Sequence, residues 1–183
     1  MRRARILAVA ALAMPAVALA HAVVYPRSST PGAYEKYVLR VPNESDTSTT
    51  TRVEIRFPPE VRVVSFGDVA GWKLEVQTDT ARRITGATWT GALPPERFVE
   101  FPFVAVNPRT DARIVWPVYQ TYSDGERVGW TGPEGGDTPA SVTVIGAASG
   151  AGPAGPRWTL YTSLAALAIA LVSLGLAARR RAV

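Results

Sequence analysis

From Tyr37 to Ile145 the chain is a series of short apolar or alternating runs separated by turn residues. Tyr37-Val38-Leu39-Arg40-Val41 and Arg52-Val53-Glu54-Ile55-Arg56-Phe57 have strand-like lengths. Their near-alternation is the period of two that turns one face of a strand to a core and the other to water. Similar runs occupy Val61–Phe66, Trp72–Val76, Ile84–Trp89, Phe98–Val106, Ile114–Tyr119 and Ser141–Ile145. Between them lie Pro42-Asn43, Pro58-Pro59, Gly67-Asp68, Pro94-Pro95, Asn107-Pro108 and Asp124-Gly125. These residues end ladders and form tight turns. No stretch of this region carries a long helical period. Short strands at spacings of about 8–12 residues predict an all-β sandwich. Trp72, Trp89 and Trp116 fall in strand-like runs and are expected in its core.

The two ends follow other rules. Residues 1–20 begin Met1-Arg2-Arg3-Ala4-Arg5, continue as an apolar run and close on Ala18-Leu19-Ala20. A basic start, an apolar middle and an A-x-A box describe a cleavable export signal. Residues 146–158 are rich in Gly, Ala and Pro and predict a coreless linker. From Leu160 to Ala178, nineteen residues carry no charge, and Arg179-Arg180-Arg181 follow. At about 1.5 Å per residue, such a helix nearly matches a hydrocarbon core of about 30 Å. The expected layout is a signal peptide over 1–20 and a β-sandwich domain over 21–145. A linker over 146–158, one transmembrane helix over 159–179 and a cytoplasmic tail over 180–183 follow. The arginines keep the tail inside, which places the sandwich outside the cytoplasm on a single-pass anchor.

This layout changes the meaning of the charge. The whole chain has a formal net charge of +5. The stretch from His21 to Pro156 has 13 Lys+Arg against 15 Asp+Glu, a formal charge of −2. The basic excess therefore belongs to the two ends, and the domain has no electrostatic footprint for nucleic acid. There is no cysteine, and both methionines, Met1 and Met14, lie in the predicted signal. The exported domain thus has no sulfur ligand. Any metal it holds must accept nitrogen and oxygen, which favours Cu(II) or another borderline divalent ion over Cu(I).

His21 is the one histidine of the chain. With a single imidazole there is no Ser-His-Asp arrangement, no multi-histidine zinc site and no two-histidine copper oxygenase centre, so an enzyme is not expected. Cleavage after Ala20 would make His21 the first residue. Its freed α-amine and its imidazole then form a two-nitrogen chelate, and both types of group release their protons cheaply near neutrality. Two nitrogens leave a Cu(II) shell incomplete, and a carboxylate is the simplest completion. The residues nominate Glu35, Glu44 or Asp46 for it. The alternative is a metal-free, surface-anchored β-sandwich interaction module in which His21 merely follows the cleavage site.

Three segments carry a resemblance. His21-Ala22-Val23-Val24-Tyr25-Pro26, Arg40-Val41-Pro42-Asn43-Glu44 and Trp130-Thr131-Gly132-Pro133-Glu134-Gly135-Gly136-Asp137-Thr138-Pro139-Ala140 resemble the YcnI family of bacterial exported, membrane-anchored domains. The resemblance spans His21 to about Val144. It implies an immunoglobulin-like β-sandwich that binds Cu(II) and acts in copper trafficking or homeostasis, with other extracytoplasmic copper-trafficking proteins as partners. It also implies a ligand set: the α-amine and imidazole of His21 with the carboxylate of Glu44, capped by Trp130.

Overall fold

The structure, a computed structural model, describes residues 21–146. The expected signal, the expected membrane span and tail, and most of the expected linker lie outside the described residues. Among the described residues there is no helix long and apolar enough to cross a membrane.

Twelve strands make up the domain: β1 (Val23–Tyr25), β2 (Ser28–Ser29), β3 (Tyr34–Pro42), β4 (Thr50–Arg56), β5 (Arg62–Phe66), β6 (Lys73–Thr78), β7 (Ile84–Leu93), β8 (Phe98–Val106), β9 (Ala112–Trp116), β10 (Val118–Tyr122), β11 (Arg127–Trp130) and β12 (Ser141–Ile145). They form a four-stranded sheet in the order β1-β3-β8-β5 and a five-stranded sheet in the order β11-β10-β4-β7-β6. A small third sheet, β2-β12-β9, adds a parallel β2–β12 pair to otherwise antiparallel ladders.

Every run predicted from the alternation overlaps at least one strand. On β3, Tyr37, Leu39 and Val41 are fully buried while Arg40 is exposed. On β8, Phe101, Phe103 and Ala105 point inward. Their counterparts from the five-stranded sheet are Val53, Ile55, Ala87 and Trp89. The ring of Trp89 on β7 stacks on Phe101 of β8 at 4.5 Å between centroids, and Trp72 meets the same phenylalanine edge-on at 5.0 Å. Trp116 packs on Tyr37 and Phe103. The core of this cysteine-free domain is thus an aromatic stack between sheets, where rings add geometric preference to the apolar area they bury.

The run Ile114–Tyr119 is not one strand. It divides at Pro117 into β9 and β10, which belong to different sheets. Proline has no N–H to give a ladder, so the chain changes partners there. β9 pairs with β12, whereas β10 pairs with β4 and β11. Strands β1, β2 and β11 were not evident in the sequence. Two or three residues are too few to show a period, and β11 contains Gly129.

Candidate metal site at His21

His21 lies two residues before the start of β1. The β1–β3 ladder pairs Val23 with Arg40 and Val24 with Leu39. Continued by two residues in the same antiparallel register, it sets His21 opposite Pro42, the last residue of β3. A buried amide links that point to the second sheet. Gln120 of β10 donates from Nε2 to the Pro42 carbonyl at 2.9 Å and to Thr50 Oγ1 at 2.7 Å. Its Oε1 accepts the indole N–H of Trp130 at 3.1 Å. Trp130, 1% exposed at the end of β11, turns its ring to His21. The two rings meet edge-to-face, 5.8 Å between centroids with planes at 78°. The first and third resemblance segments therefore meet in space, 109 residues apart in the chain.

One atom in this arrangement is unfinished. Nε2 of His21 is buried and has no hydrogen-bond partner. Leaving a buried polar atom unpaired costs about 1–3 kcal/mol, so folded proteins rarely do it without a functional reason. An imidazole held against an indole with a ring nitrogen unsatisfied is a ring suited to a metal ion or to an acceptor. A chelate by the α-amine and imidazole of one histidine closes through Nδ1, so His21 can hold an ion by those two nitrogens while the buried Nε2 stays available to a further partner. Among the described residues no three His, Asp or Glu side chains converge on one point. The nitrogens of His21 must therefore be the centre of any site, with oxygens brought to them.

The three nominated carboxylates are placed very differently. Glu35 lies at the far end of β3, seven residues from Pro42, or about 24 Å at strand rise. Its Oε2 accepts a hydrogen bond from Ser29 Oγ at 2.5 Å. Glu44 is two residues past Pro42, on the His21 side of the strand, with an exposed side chain. It neighbours Tyr122, whose phenol is pushed up mainly by burial. A hydrogen bond to the Glu44 backbone opposes that shift, and the negative charges of Glu44, Glu126 and Asp124 add to it. Asp46 is exposed in the turn that follows. Of the three, the strand geometry removes Glu35 from the neighbourhood of His21.

A cavity of about 500 Å³ opens beside the histidine. Ala22, Val23, Val142 and Val144 give it apolar walls, and Arg27, Arg113 and Glu134 give it charge. The loop after β11 forms one side. It is closed on itself by Gly132 N–H to the Thr138 carbonyl at 2.8 Å and Ala140 N–H to the Gly132 carbonyl at 2.9 Å. Gly135 turns it with φ of +82°, a left-handed conformation that suits glycine. Neither Gln120 nor this cavity was found in the sequence. The parity of β10 carries the signal for Gln120: Val118 and Tyr122 face inward, so residue 120 must as well.

Residues 21–145 match a domain family described as a domain of unknown function, DUF1775. The chain belongs to this family. The chain is also similar to a protein named copper-binding protein CutI, from Bacillus subtilis strain 168, and this likeness together with the family match supports a YcnI-like assignment. The two are 37% identical over 132 residues, which is 71% of this chain and 64% of the relative's length. The DUF1775 domain here also resembles a crystal structure of an uncharacterized Nocardia farcinica protein with an immunoglobulin-like fold. That likeness has a TM-score of 0.61 at 27% identity and covers 68% of this chain and 97% of the other. The fold is accordingly an all-β, immunoglobulin-like sandwich, as the alternation and the resemblance led us to expect.

Proposed function

We propose that this chain is an extracytoplasmic, membrane-tethered domain that binds Cu(II) at His21 and serves in copper trafficking or homeostasis, as a binding protein rather than an enzyme. The observation that carries the reading is that the lone histidine, which signal cleavage would make the first residue, is held edge-on against the buried indole of Trp130. Two facts support it. The relative at 37% identity is named a copper-binding protein. The family match begins at His21, the residue that signal cleavage would expose.

In this reading the α-amine and imidazole of His21 hold the ion, and Glu44 supplies a carboxylate oxygen. With two nitrogens, oxygen donors and no sulfur, the shell suits Cu(II) over Cu(I). Trp130 closes one side of the site. Its indole excludes water there, and its π-face attracts a cationic centre. Gln120 fixes the indole by its N–H and, through Pro42, ties the β11 end to the strand opposite His21.

The test uses protein processed to begin at His21, confirmed by mass spectrometry. It should bind one Cu(II), more tightly than Zn(II) and with little affinity for Cu(I). His21→Ala should weaken binding by at least the 10- to 100-fold typical of losing a metal site's supporting partner. One extra residue ahead of His21 should do comparable damage. Glu44→Gln should weaken binding, and Glu35→Gln should not. Unchanged Cu(II) affinity in both His21 variants would leave the metal-free interaction module as the better reading.

A further inference from the structure

We infer that Glu134 is a second carboxylate for the cation bound at His21, and that Arg113 competes with the cation for it. This rests on the Cu(II) reading above. Glu134 lies in the glycine-rich loop after Trp130 and has no part in that reading. Among the described residues lining the cavity beside His21, it is the one acid. A space of 500 Å³ would be about 10 Å across as a sphere, a span that a glutamate and an imidazole lining the same cavity can bridge with an ion between them.

Charge gives the reason for a second carboxylate. A neutral amine and a neutral imidazole leave the ion's +2 unbalanced, and Glu44 offsets only half of it. The cavity beside His21 is lined by one acid against the guanidiniums of Arg27 and Arg113, so Glu134 is the one lining group able to offset the rest.

Glu134 is also free to move. Its side chain is 84% exposed and is paired with Arg113 Nη2 at 2.8 Å, a guanidinium itself 56% exposed. Exposed pairs of this kind contribute about 0–1 kcal/mol, little against a divalent ion in a half-enclosed site. The loop that carries Glu134 is braced at its neck, so the side chain can change partners without a change of backbone. In the metal-free protein, Arg113 holds the carboxylate. With the ion at His21, the carboxylate turns inward and the guanidinium is released to water. Copper affinity is then set by a competition that the protein, or a partner presenting its own acid to Arg113, can bias.

The experiment is a double-mutant cycle on full-length, signal-processed protein, titrated with Cu(II) and followed by visible and electron paramagnetic resonance spectra. Glu134→Gln should weaken binding roughly 10-fold and shift the copper spectrum. Arg113→Gln should tighten binding several-fold. The double variant should match Glu134→Gln alone, because the arginine acts only through the glutamate. If both residues acted merely by their long-range charge, the single effects would cancel and the double variant would bind like wild type. That result would overturn the inference, as would an unchanged affinity and spectrum in Glu134→Gln. Failure of wild type to bind Cu(II) would instead sink the reading at His21. Both side chains are exposed, so matched thermal unfolding curves will confirm that the variants fold.

Discussion

The two ends of β3 make a useful comparison. At the Tyr34 end, polar groups close on one another. Tyr37 donates its hydroxyl to Asn107 Oδ1 at 2.6 Å. Asn107 Nδ2 donates to Ser29 Oγ at 2.9 Å and to the Thr30 carbonyl at 3.0 Å, and Ser29 Oγ donates to Glu35. At the Pro42 end a more deeply buried network begins the same way. Asn43 Nδ2 serves the Ser48 and Leu93 carbonyls, both at 2.8 Å, and Gln120 joins Pro42, Thr50 and Trp130. That second network stops at the rings of Trp130 and His21, where a buried nitrogen is left over. A closed network rigidifies a fold. An open one, among described residues whose other buried side-chain polar atoms are partnered, asks for an explanation, and the copper reading proposed above offers one.

Replacing the central amide at each end gives the largest effects and the most direct attack on this contrast. Asn107→Leu takes the acceptor from the Tyr37 hydroxyl and one of two donors from the Thr30 carbonyl, which keeps the Ala33 N–H, and should cost about 2–3 kcal/mol of unfolding free energy. Its Cu(II) affinity should match wild type. Gln120→Leu strands the Trp130 indole N–H and the Pro42 carbonyl and should cost a similar amount. It should in addition weaken Cu(II) binding roughly 10-fold, since it releases the residue that fixes the cap. Urea unfolding and Cu(II) titration of both variants measure this. Equal copper effects at both ends would mean that the distinction between a structural and a ligand-ready network is unsound.

The sandwich itself was legible because a strand buried on one face repeats every two residues. Tyr37, Leu39 and Val41, or Phe101, Phe103 and Ala105, state the inward face directly. Pro117 was visible too, but its consequence was not: an apolar run does not say that its halves join different sheets. At the site, His21 and Trp130 were legible as residue types, one by its place behind a cleavage box and the other by its motif. Their meeting was not, because it depends on β1 pairing with β3 and β11 with β10. The cavity has no local pattern at all. It is assembled from the segment at 21–27, Arg113 on β9 and the loop and strand at 134–144, which only the tertiary fold brings together. Glu134 therefore stands in a motif that names no partner for it.

Trp130 offers a smaller effect at the open end alone. Trp130→Phe keeps an apolar ring but leaves Gln120 Oε1 unpaired and part of the indole volume empty. The cost should be about 2 kcal/mol. Cu(II) should quench the wild-type fluorescence, because a paramagnetic ion would lie against the indole. The variant should lose much of that quenching, show a shifted copper spectrum and keep most of its affinity. Trp72, Trp89, Trp116 and Trp158 contribute to both proteins, so the difference between them is the quantity to read. Equal quenching in the two would place the ion away from Trp130 and detach the indole from the site.

The closed end supplies the smallest effect, and it is one that pH can isolate. Burial pushes the Tyr37 phenol up to about 12, and the nearby charge of Glu35 adds to the shift. In the unfolded chain a tyrosine ionises near 10. Below pH 10 the phenol is neutral in both states, and its hydrogen bond to Asn107 contributes in full. From pH 10 to about 12 the unfolded state releases a proton that the folded state retains, so stability falls as pH rises. Tyr37→Phe should cost only about 1 kcal/mol near neutrality, where it removes one hydrogen bond and leaves Asn107 Oδ1 short of a donor. Its stability should then decline less steeply than wild type between pH 10 and 12. The slope will not vanish, since Tyr122 at the other end is shifted in the same direction, chiefly by burial. The informative comparison is therefore with Tyr122→Phe, with and without Cu(II). Tyr122 adjoins Glu44, so its share of the slope should change when the ion draws on that carboxylate. The share of Tyr37 should not. Urea unfolding across this pH range decides the matter: a copper-dependent change in the Tyr37 share would show that the two ends of β3 are coupled, and the separation drawn between them would fail.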